Sequence, residues 1–385
     1  MTVTESQNSR LLMQFPAINT RTLNRIAVGC LFLLLSIFAE HGLAQDATID
    51  NVILVTLDGL RWQELFSGAE SKLIDKDIGK VRDVGGIRKK FWHKDPVQRR
   101  KLLMPRFWQM IENEGQVFGS PDHDSTTSVK NKLHFSYPGY NELLCGCPDP
   151  KIISNSKTYN KNVTVLEWLN QMPEFKDRVA AFCSWDVFPF IINDKRSGVY
   201  VNAGWQRLEI FENDAALKSY SMMESQLPRY WNNVRYDAFT YRGAVEYLKV
   251  IKPRVLYLAL GETDDWAHDG RYDLYLESAK VNDQMISDLW DLVQSIPQYK
   301  NKTAMVISTD HGRGDGREGW KNHNFGIAGS DKIWIAVHGP GIKAMGIRSN
   351  VNCSQGQVAS TVAWLLGKDL ANLNPEVAMP LPLQK

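Results

Sequence analysis

The chain alternates short apolar runs with longer stretches in which apolar residues recur at helical spacing. Five of the runs are rich in β-branched residues and end in polar or glycine-containing segments, which is typical of buried strands. Because such strands and helical stretches alternate along the chain, the pattern predicts an α/β fold. The predicted strands are NVILVTL (51–57), RVAAFC (178–183), RVLYLAL (254–260), TAMVIST (303–309) and KIWIAVH (332–338).

Helical periodicity occupies much of the chain between the predicted strands. Thr164 and Glu167 have the spacing of a capping box, which predicts that a helix begins there. Two segments, 67–103 and 196–235, lack clear strand periodicity and are interpreted as insertions over one face of the sheet. The predicted helices are 105–113, 164–171, 236–250, 274–296 and 357–366.

The N-terminal region has the features of a signal peptide. Arg21 and Arg25 precede the uncharged run 26–39, and small residues follow at 42–44. We therefore expect cleavage near Ala44 and an exported chain, in the periplasm or outside the cell. A retained anchor is the alternative, but the run of about 14 residues is shorter than the roughly 20 that span a bilayer.

Charge and cysteine content narrow the function further. The formal net charge is +2 at pH 7, which gives no reason to expect a nucleic acid duplex as partner. Residues 72–101 hold eleven Lys or Arg against four Asp, and we interpret this run as a solvated surface segment.

The cysteines after the predicted cleavage point allow three disulfide pairings that the sequence does not rank, and no C-x2-C pair indicates a thiolate metal site. They are Cys145, Cys147, Cys183 and Cys353.

Carboxylates and histidines collect directly after three of the predicted strands. Open α/β sheets bind their ligands beyond the carboxyl ends of the strands, so these side chains are candidate site residues. They are Asp58 after strand 51–57, Asp264 and His268 after strand 254–260, Asp310 and His311 after strand 303–309, and His323 a little further along the chain.

These residue types suit a metal centre. Asp264 and His268 are four residues apart, which places both side chains on one face of a helical turn. An isolated Asp in such a position is often only a helix N-cap, but the three groups together supply enough ligands for two divalent ions. Oxygen and imidazole donors without a thiolate favour zinc, so the sequence predicts two Zn²⁺ per chain.

Ser136 lies in the stretch HFSYPGYNELLCG (134–146) and has no histidine base beside it in the sequence. A bound metal can activate such a serine by lowering the pKa of its hydroxyl, which predicts Ser136 as a nucleophile. Pro138 and Gly139 are expected to turn the chain into a helix that begins near Tyr140 and directs its N–H groups towards an anionic substrate. Without the metal ligands, Ser136 would be an ordinary turn serine.

The order and spacing of these motifs resemble the alkaline phosphatase superfamily, most closely its nucleotide pyrophosphatase/phosphodiesterase-type branch. The resemblance covers about residues 51–370. It implies a central, mostly parallel sheet sandwiched by helices, within a single catalytic domain (45–385) that carries the two insertions and follows the signal peptide (1–44). The motifs are Asp58-Gly59, Ser136-Tyr137-Pro138, Asp264-x3-His268, Asp310-His311-Gly312 and His323.

The resemblance also implies roles for individual residues. Ser136 corresponds to the nucleophile that forms a phosphoenzyme intermediate, and Asn155 is the candidate for an asparagine that holds the phosphoryl oxygens. Many members have Thr at the nucleophile position and Asn shortly after the following Pro, where this chain has Ser136 and Gly139. The implied ligand sets are Asp264, His268 and His323 for one zinc, and Asp58, Asp310 and His311 for the other.

The sequence therefore predicts an exported, metal-dependent phosphoric ester hydrolase, a phosphodiesterase or phosphatase acting on a small-molecule phosphate ester. A sulfate or phosphonate ester hydrolase on the same scaffold is one alternative. Ser136 and Pro138 also fit a sulfatase signature, but that signature has Arg where this chain has Tyr140, which argues against sulfatase activity. A catalytically silent surface protein that binds metal is the other alternative.

Overall fold

The computed structural model describes residues 49–208 and 215–384. Its main feature is an eight-stranded sheet with the order β10-β2-β9-β7-β1-β6-β4-β5, beside a three-stranded sheet with the order β11-β3-β8. The strands are β1 (Asn51–Leu57), β2 (Gly115–Phe118), β3 (Thr126–Ser128), β4 (Val179–Cys183), β5 (Tyr200–Ala203), β6 (Val255–Leu260), β7 (Thr303–Ser308), β8 (Lys332–Ile333), β9 (Ile335–His338), β10 (Gly346–Ile347) and β11 (Asn352–Ser354).

Parallel pairing dominates the large sheet. Strand β1 pairs in parallel with β6 on one side and β7 on the other, so Val55 lies between Leu258 and Ile307. Strand β9 runs antiparallel to both β7 and β2. Every residue of β1, β6 and β7 is buried, which explains why these strands read as continuous apolar runs.

Helices cover both faces of the large sheet. Alternate residues of β1 point to opposite faces: Ile53 packs in one apolar cluster with Phe107, and Leu54 packs in a second with Leu143. The helices are α1 (Trp62–Ser67), α2 (Val84–Phe91), α3 (Pro96–Leu103), α4 (Pro105–Glu114), α5 (Ser136–Cys145), α6 (Val165–Asn170), α7 (Phe188–Ile192), α8 (Asp194–Ser197), α9 (Ala215–Gln226), α10 (Asp237–Ile251), α11 (Glu262–His268), α12 (Tyr272–Ser295), α13 (Gly316–Gly319) and α14 (Gln357–Leu365).

The predicted segments match these elements with two informative differences. The run 332–338 divides at Trp334 into β8, in the small sheet, and β9, in the large sheet. Strand β5 pairs with β4 at the edge of the large sheet, although it lies within the segment 196–235 that we interpreted as an insertion. The segment 67–103, all of it described, contains the end of α1 and helices α2 and α3, and has no strand.

Smaller expectations can also be compared with the structure. Thr164 caps helix α6, because its hydroxyl oxygen accepts the backbone N–H of Glu167 at 3.1 Å. The four cysteines after position 44 are free thiols in the structure. In the part of the chain that the structure describes, no helix is long and apolar enough to cross a membrane. The predicted signal peptide lies outside the described residues.

Candidate metal centre

The topology brings three of the predicted groups to one edge of the sheet. Strands β7, β1 and β6 are neighbours and run parallel, so their carboxyl ends lie side by side. Asp58 follows β1, Asp310 follows β7, and helix α11 begins directly after β6 with Asp264 in its first turn. The backbone N–H of Gly59 donates to Asp310 Oδ1 at 3.1 Å, which joins the ends of β1 and β7.

One donor set consists of Asp58, Asp310 and His311, all three buried. The Nε2 atom of His311 lies 3.5 Å from Asp58 Oδ1 and 3.4 Å from Asp310 Oδ2. Both carboxylate oxygens are buried without a hydrogen-bond partner among the described residues. Two partnerless oxygens and a ring nitrogen that converge on one point are the donor atoms that a divalent cation needs.

The second donor set lies beside the first and shares His311 with it. The structure groups Asp264, His311 and His323, with His323 Nε2 3.8 Å from Asp264 Oδ1. His268 Nε2 lies 3.0 Å from His323 Nε2 and 3.3 Å from Asp264 Oδ2. All six residues that the sequence suggested as ligands therefore lie together, and His311 stands between the two sets.

Burial, and then the neighbouring charges, shift the pKa values of several side chains in this centre. Burial, and then the carboxylates of Asp310 and Asp264, raise the pKa of Asp58 well above its ordinary value. Burial and the Asp264 carboxylate raise the pKa of Asp310 to about 7. Burial lowers the pKa of His323 to about 4 and lowers the pKa of His311 well below its ordinary value. The imidazoles of His311 and His323 are therefore neutral at pH 7, which is the form that ligates a metal.

The nucleophile candidate opens helix α5. Ser136 is the first residue of this helix, so the expectation of a helix beginning near Tyr140 is wrong. Pro138 lies within the first turn, where its missing N–H would have no partner inside the helix. The Ser136 hydroxyl is buried, and its oxygen lies 3.4 Å from Nε2 of His311.

Gly139 lets helix α5 approach the end of β7 closely. A Cβ atom at this position would lie 2.4 Å from the backbone oxygen of Asp310, which is closer than real carbon and oxygen atoms come. The phosphodiesterase-type asparagine that the resemblance implied near this position therefore has no room here. The close approach also places Ser136 beside the donor sets.

Asn155 reaches the site from the loop that follows helix α5. Its Oδ1 atom accepts the backbone N–H of Tyr137 at 2.9 Å, beside Ser136. This hydrogen bond orients the amide group of Asn155 at the start of α5 and leaves its Nδ2 as a donor. The residue was suggested only by the resemblance, and the structure places it at the cavity with Ser136.

The structure adds two residues that the sequence reasoning missed. The Arg313 guanidinium pairs with the Asp264 carboxylate and donates to the Asp264 backbone oxygen at 3.0 Å. Burial alone would raise the pKa of Asp264, but the charges of Arg313 and His268 hold that pKa well below its usual range. The Tyr140 hydroxyl donates to Asp58 Oδ2 at 2.8 Å. Tyr140 is one helical turn beyond Ser136, and that spacing was the only signal in the sequence.

A cavity of about 210 Å³ opens onto the centre. Among its lining residues are Asp58, Ser136, Asn155 and Asp264. Asp265, the neighbour of Asp264, also lines it; burial, and then the carboxylates of Asp264 and Asp237, raise the pKa of Asp265 to about 8. The cavity has the size of a small ester and brings a serine, two donor sets and an amide together.

Comparisons with known proteins find similarity at the level of the fold. No family model matches the chain, and no curated protein matches it. A putative sulfatase from Bacteroides thetaiotaomicron has a TM-score of 0.53 and 12% identity, over 86% of this chain and 72% of that one. Ps i-CgsB, solved in complex with k-i-k-neocarrahexaose, has a TM-score of 0.52 and 16% identity, over 86% and 75%. The lipoteichoic acid synthase LtaP from Listeria monocytogenes has a TM-score of 0.51 and 15% identity, over 84% and 73%.

The fold predicted from the sequence is thereby confirmed. The chain has a large, mostly parallel sheet between layers of helices, in the arrangement of the alkaline phosphatase superfamily. At identities of 12–16%, these similarities show a shared fold and do not show a shared activity or substrate. The nucleotide pyrophosphatase/phosphodiesterase-type branch stays a prediction.

Proposed function

We propose that this chain, with its alkaline phosphatase-type fold, is an exported, metal-dependent hydrolase of phosphoric esters that uses Ser136 as its nucleophile. The observation that carries the proposal is the placement of Ser136 Oγ, 3.4 Å from the Nε2 atom of His311, which two metal-donor sets share. Serine, carboxylates and neutral imidazoles in this arrangement suit in-line displacement at phosphorus.

The residues present fit two zinc ions. Asp58 Oδ1 and Asp310 Oδ2 are buried, partnerless and directed at His311, so Asp58, Asp310 and His311 would hold one ion. Asp264, His268 and His323 would hold the other. When bound, such ions supply positive charge that lowers the pKa of a serine hydroxyl and stabilises the attacking and leaving oxygens.

The protein groups then have separate tasks. Ser136 Oγ attacks phosphorus and loses its proton to solvent. An Oγ–P bond forms while the bond from phosphorus to the leaving oxygen breaks, and the leaving group takes up a proton from solvent and departs as an alcohol. Water next cleaves the Oγ–P bond and restores the serine. The Nδ2 group of Asn155 donates to a phosphoryl oxygen. The Tyr137 N–H is bonded to Asn155 and Pro138 has no N–H, so the ten-residue helix α5 acts on the same negative charge through the positive end of its dipole.

The substrate is a small molecule. A cavity of about 210 Å³ holds a phosphoryl group and a short ester arm, whereas a nucleic acid duplex is far larger. Export follows from the signal peptide predicted over residues 1–44. Small, exported phosphate esters are therefore the first compounds to test.

A sulfate ester hydrolase is the second candidate, because the putative sulfatase from Bacteroides thetaiotaomicron is among the similar structures. In this chain, however, the position of the sulfatase-signature arginine holds Tyr140, whose hydroxyl is bonded to Asp58. Comparing turnover of an aryl sulfate with that of the matching aryl phosphate separates the two candidates.

The test of the proposal uses zinc-replete mature protein and aryl phosphate esters. Wild-type protein should hydrolyse them, and Ser136→Ala should lose at least a thousandfold in kcat while it keeps its zinc. Ser154→Ala, in the exposed loop beside Asn155, is the matched control and should keep the wild-type rate. Undiminished hydrolysis by Ser136→Ala would contradict the mechanism, and bound zinc without turnover of any ester would support a metal-binding surface protein instead.

A further inference from the structure

A second cavity, of about 340 Å³, adjoins the cavity of the metal centre. We name it the side cavity. It is lined by the loop that follows helix α5 and by Tyr137, the neighbour of Ser136 in that helix. Asn155 lines the cavity of the metal centre, and the next residue of the loop, Ser156, lines the side cavity. Because adjacent Cα atoms are about 3.8 Å apart, the two linings meet at this point of the loop.

The boundary between the two cavities faces solvent. Asn155 and Ser156 are both exposed. The boundary is also fixed, because Asn155 Oδ1 accepts the Tyr137 N–H at 2.9 Å and the Tyr137 hydroxyl donates to the Thr158 backbone oxygen at 2.6 Å. One molecule can therefore extend from Ser136 across Asn155 into the side cavity.

The side cavity carries an excess of positive charge. Lys151 and Lys161 line it, and no carboxylate oxygen of the described chain lies within 4.0 Å of either ammonium group. Asp149, the acid of the lining, is engaged elsewhere: its Oδ2 accepts the Asn162 amide at 2.8 Å and its Oδ1 accepts the Lys151 backbone N–H at 2.9 Å. The segment 151–161 holds three lysines and no acid. The two ammonium groups can therefore bind an anion from outside the chain.

Apolar surface accompanies these cations. Ile152 and Ile153 line the side cavity, and Ile153 is 71% exposed. Tyr159 lines it as well, and its ring centroid lies 4.7 Å from that of Phe190. The Lys195 ammonium lies 4.7 Å from the centre of the Tyr159 ring, on which it places a further positive charge. Such a wall suits the carbon chain of a ligand that ends in a negative group.

The two cavities thus suit different parts of one molecule. The metal centre suits a phosphoryl group, whereas the side cavity offers apolar contact and two ammonium groups. A lysine ammonium is a compact point charge, so it pairs with a carboxylate, a sulfate or a phosphate alike. An arm that ends in an ammonium group would instead meet like charge, which costs binding energy.

Resting on the hydrolase proposed above, we propose that the substrate is a phosphate ester with an arm that ends in a second anionic group, which binds Lys151 and Lys161 in the side cavity. Both lysines are then specificity-determining residues and take no part in the chemical step. They contact the arm equally in the ground state and in the transition state, so they lower KM and leave kcat unchanged.

The test compares two nitrophenyl phosphodiesters that differ in the charge of one arm. One carries a carboxyhexyl arm, and the other carries a neutral carbamoylhexyl arm of the same length. At low ionic strength, wild-type, zinc-replete protein should show a kcat/KM for the carboxylate about five- to thirtyfold above that for the amide. The difference should lie in KM, and added salt should reduce it. In the double variant Lys151→Gln/Lys161→Gln the ratio should fall to near one.

Lys157→Gln is the matched control. Lys157 lies in the same loop but outside the lining of the side cavity, and its ammonium group pairs with Asp186 at 2.7 Å. This variant should keep the wild-type ratio. A ratio near one in the wild type, a ratio that salt does not change, or an unchanged ratio in the double variant would each overturn the anion subsite.

Esters with a sulfohexyl or a phosphonohexyl arm extend the comparison to other anions. Each should exceed the amide in kcat/KM, and the arm with the highest value identifies the anion that the side cavity prefers. If no charged arm exceeded the amide, recognition by charge would be contradicted.

Fluorine NMR separates failure of the anion subsite from failure of the hydrolase. The resonance of trifluoromethylbenzoate should broaden with the wild type but not with the double variant, and neutral trifluoromethylbenzamide should show no broadening with either. Selective broadening without hydrolysis of either ester would support the anion subsite and contradict the hydrolase. Equal hydrolysis of the carboxylate and amide esters would contradict the subsite and keep the hydrolase.

Discussion

Replacing Tyr140 with Phe removes one hydroxyl group from behind the metal centre. That hydroxyl donates to Asp58 Oδ2 at 2.8 Å, and both residues are buried. The remaining oxygen of Asp58, Oδ1, is the one directed at His311. The hydrogen bond therefore holds the carboxylate in the orientation in which Oδ1 can ligate, and we expect Tyr140→Phe to weaken zinc binding by the set of Asp58, Asp310 and His311.

The size of the effect follows from the kind of bond. A hydrogen bond to a charged group contributes about 1.5–3 kcal/mol, and tenfold in affinity corresponds to about 1.4 kcal/mol. The zinc dissociation constant of one of the two ions should therefore rise by about 10–100-fold, the range found when groups that orient metal ligands are removed. The second ion, at Asp264, should be affected far less.

Competition against a chromophoric chelator measures both dissociation constants, and Tyr257→Phe provides the matched control. Tyr257 is equally buried, and its hydroxyl shares a 2.9 Å hydrogen bond with Thr56 of strand β1 and makes no hydrogen bond to a metal-donor residue of the described chain. Its removal should lower the free energy of unfolding by about 1 kcal/mol and leave zinc affinity unchanged. Equal zinc affinities in the two variants would refute the assigned role of Tyr140.

Three further predictions address the helix, the ligands and the pH dependence of stability. Gly139→Ala should lower the free energy of unfolding by about 1–3 kcal/mol, because its Cβ would meet the Asp310 backbone oxygen at 2.4 Å. Urea denaturation should show no such loss for Gly85→Ala, whose Cβ would make only ordinary van der Waals contact. Equal stabilities of the two variants would contradict the close approach of helix α5. His268→Ala should reduce bound zinc by about one ion per chain in elemental analysis, and wild-type zinc content would remove His268 from the ligand set. Burial raises the pKa of Asp283 to about 6, so the folded state holds the proton more tightly than the unfolded state, and the free energy of unfolding should fall as pH rises from about 4 to 6. Asp283→Asn should lessen this fall by up to about 3 kcal/mol. Identical pH profiles of stability for the variant and the wild type would contradict the shift.

The central strands could be predicted because a strand that is buried on both faces has apolar residues at nearly every position, which gives a continuous apolar run in the sequence. The predicted run 51–57 coincides with β1, and the run 303–309 extends one residue beyond β7. Strand β5 was missed because it is short and lies at the sheet edge, where its first two residues are only half-buried. The alternation of apolar and polar residues is weak in such a short strand, so its extended conformation depends on pairing with β4.

The metal-donor residues could be suggested from their positions after strands, whereas their supporting contacts could not. The start of helix α5 was placed too late because Pro138 was interpreted as a turn residue, although proline is tolerated in the first turn of a helix. Arg313 was missed because its partner, Asp264, is distant in sequence and meets it only when β6 and β7 flank β1. Such pairings are properties of the folded chain.

The stereochemical course at phosphorus tests the central proposal most directly. A phosphorus-chiral aryl phosphorothioate diester would be hydrolysed in heavy-oxygen water by the zinc-replete protein, and the configuration of the product determined. Two successive in-line displacements, first by Ser136 and then by water, predict overall retention of configuration. Inversion would mean that water attacks phosphorus directly, and it would contradict the assignment of Ser136 as the nucleophile.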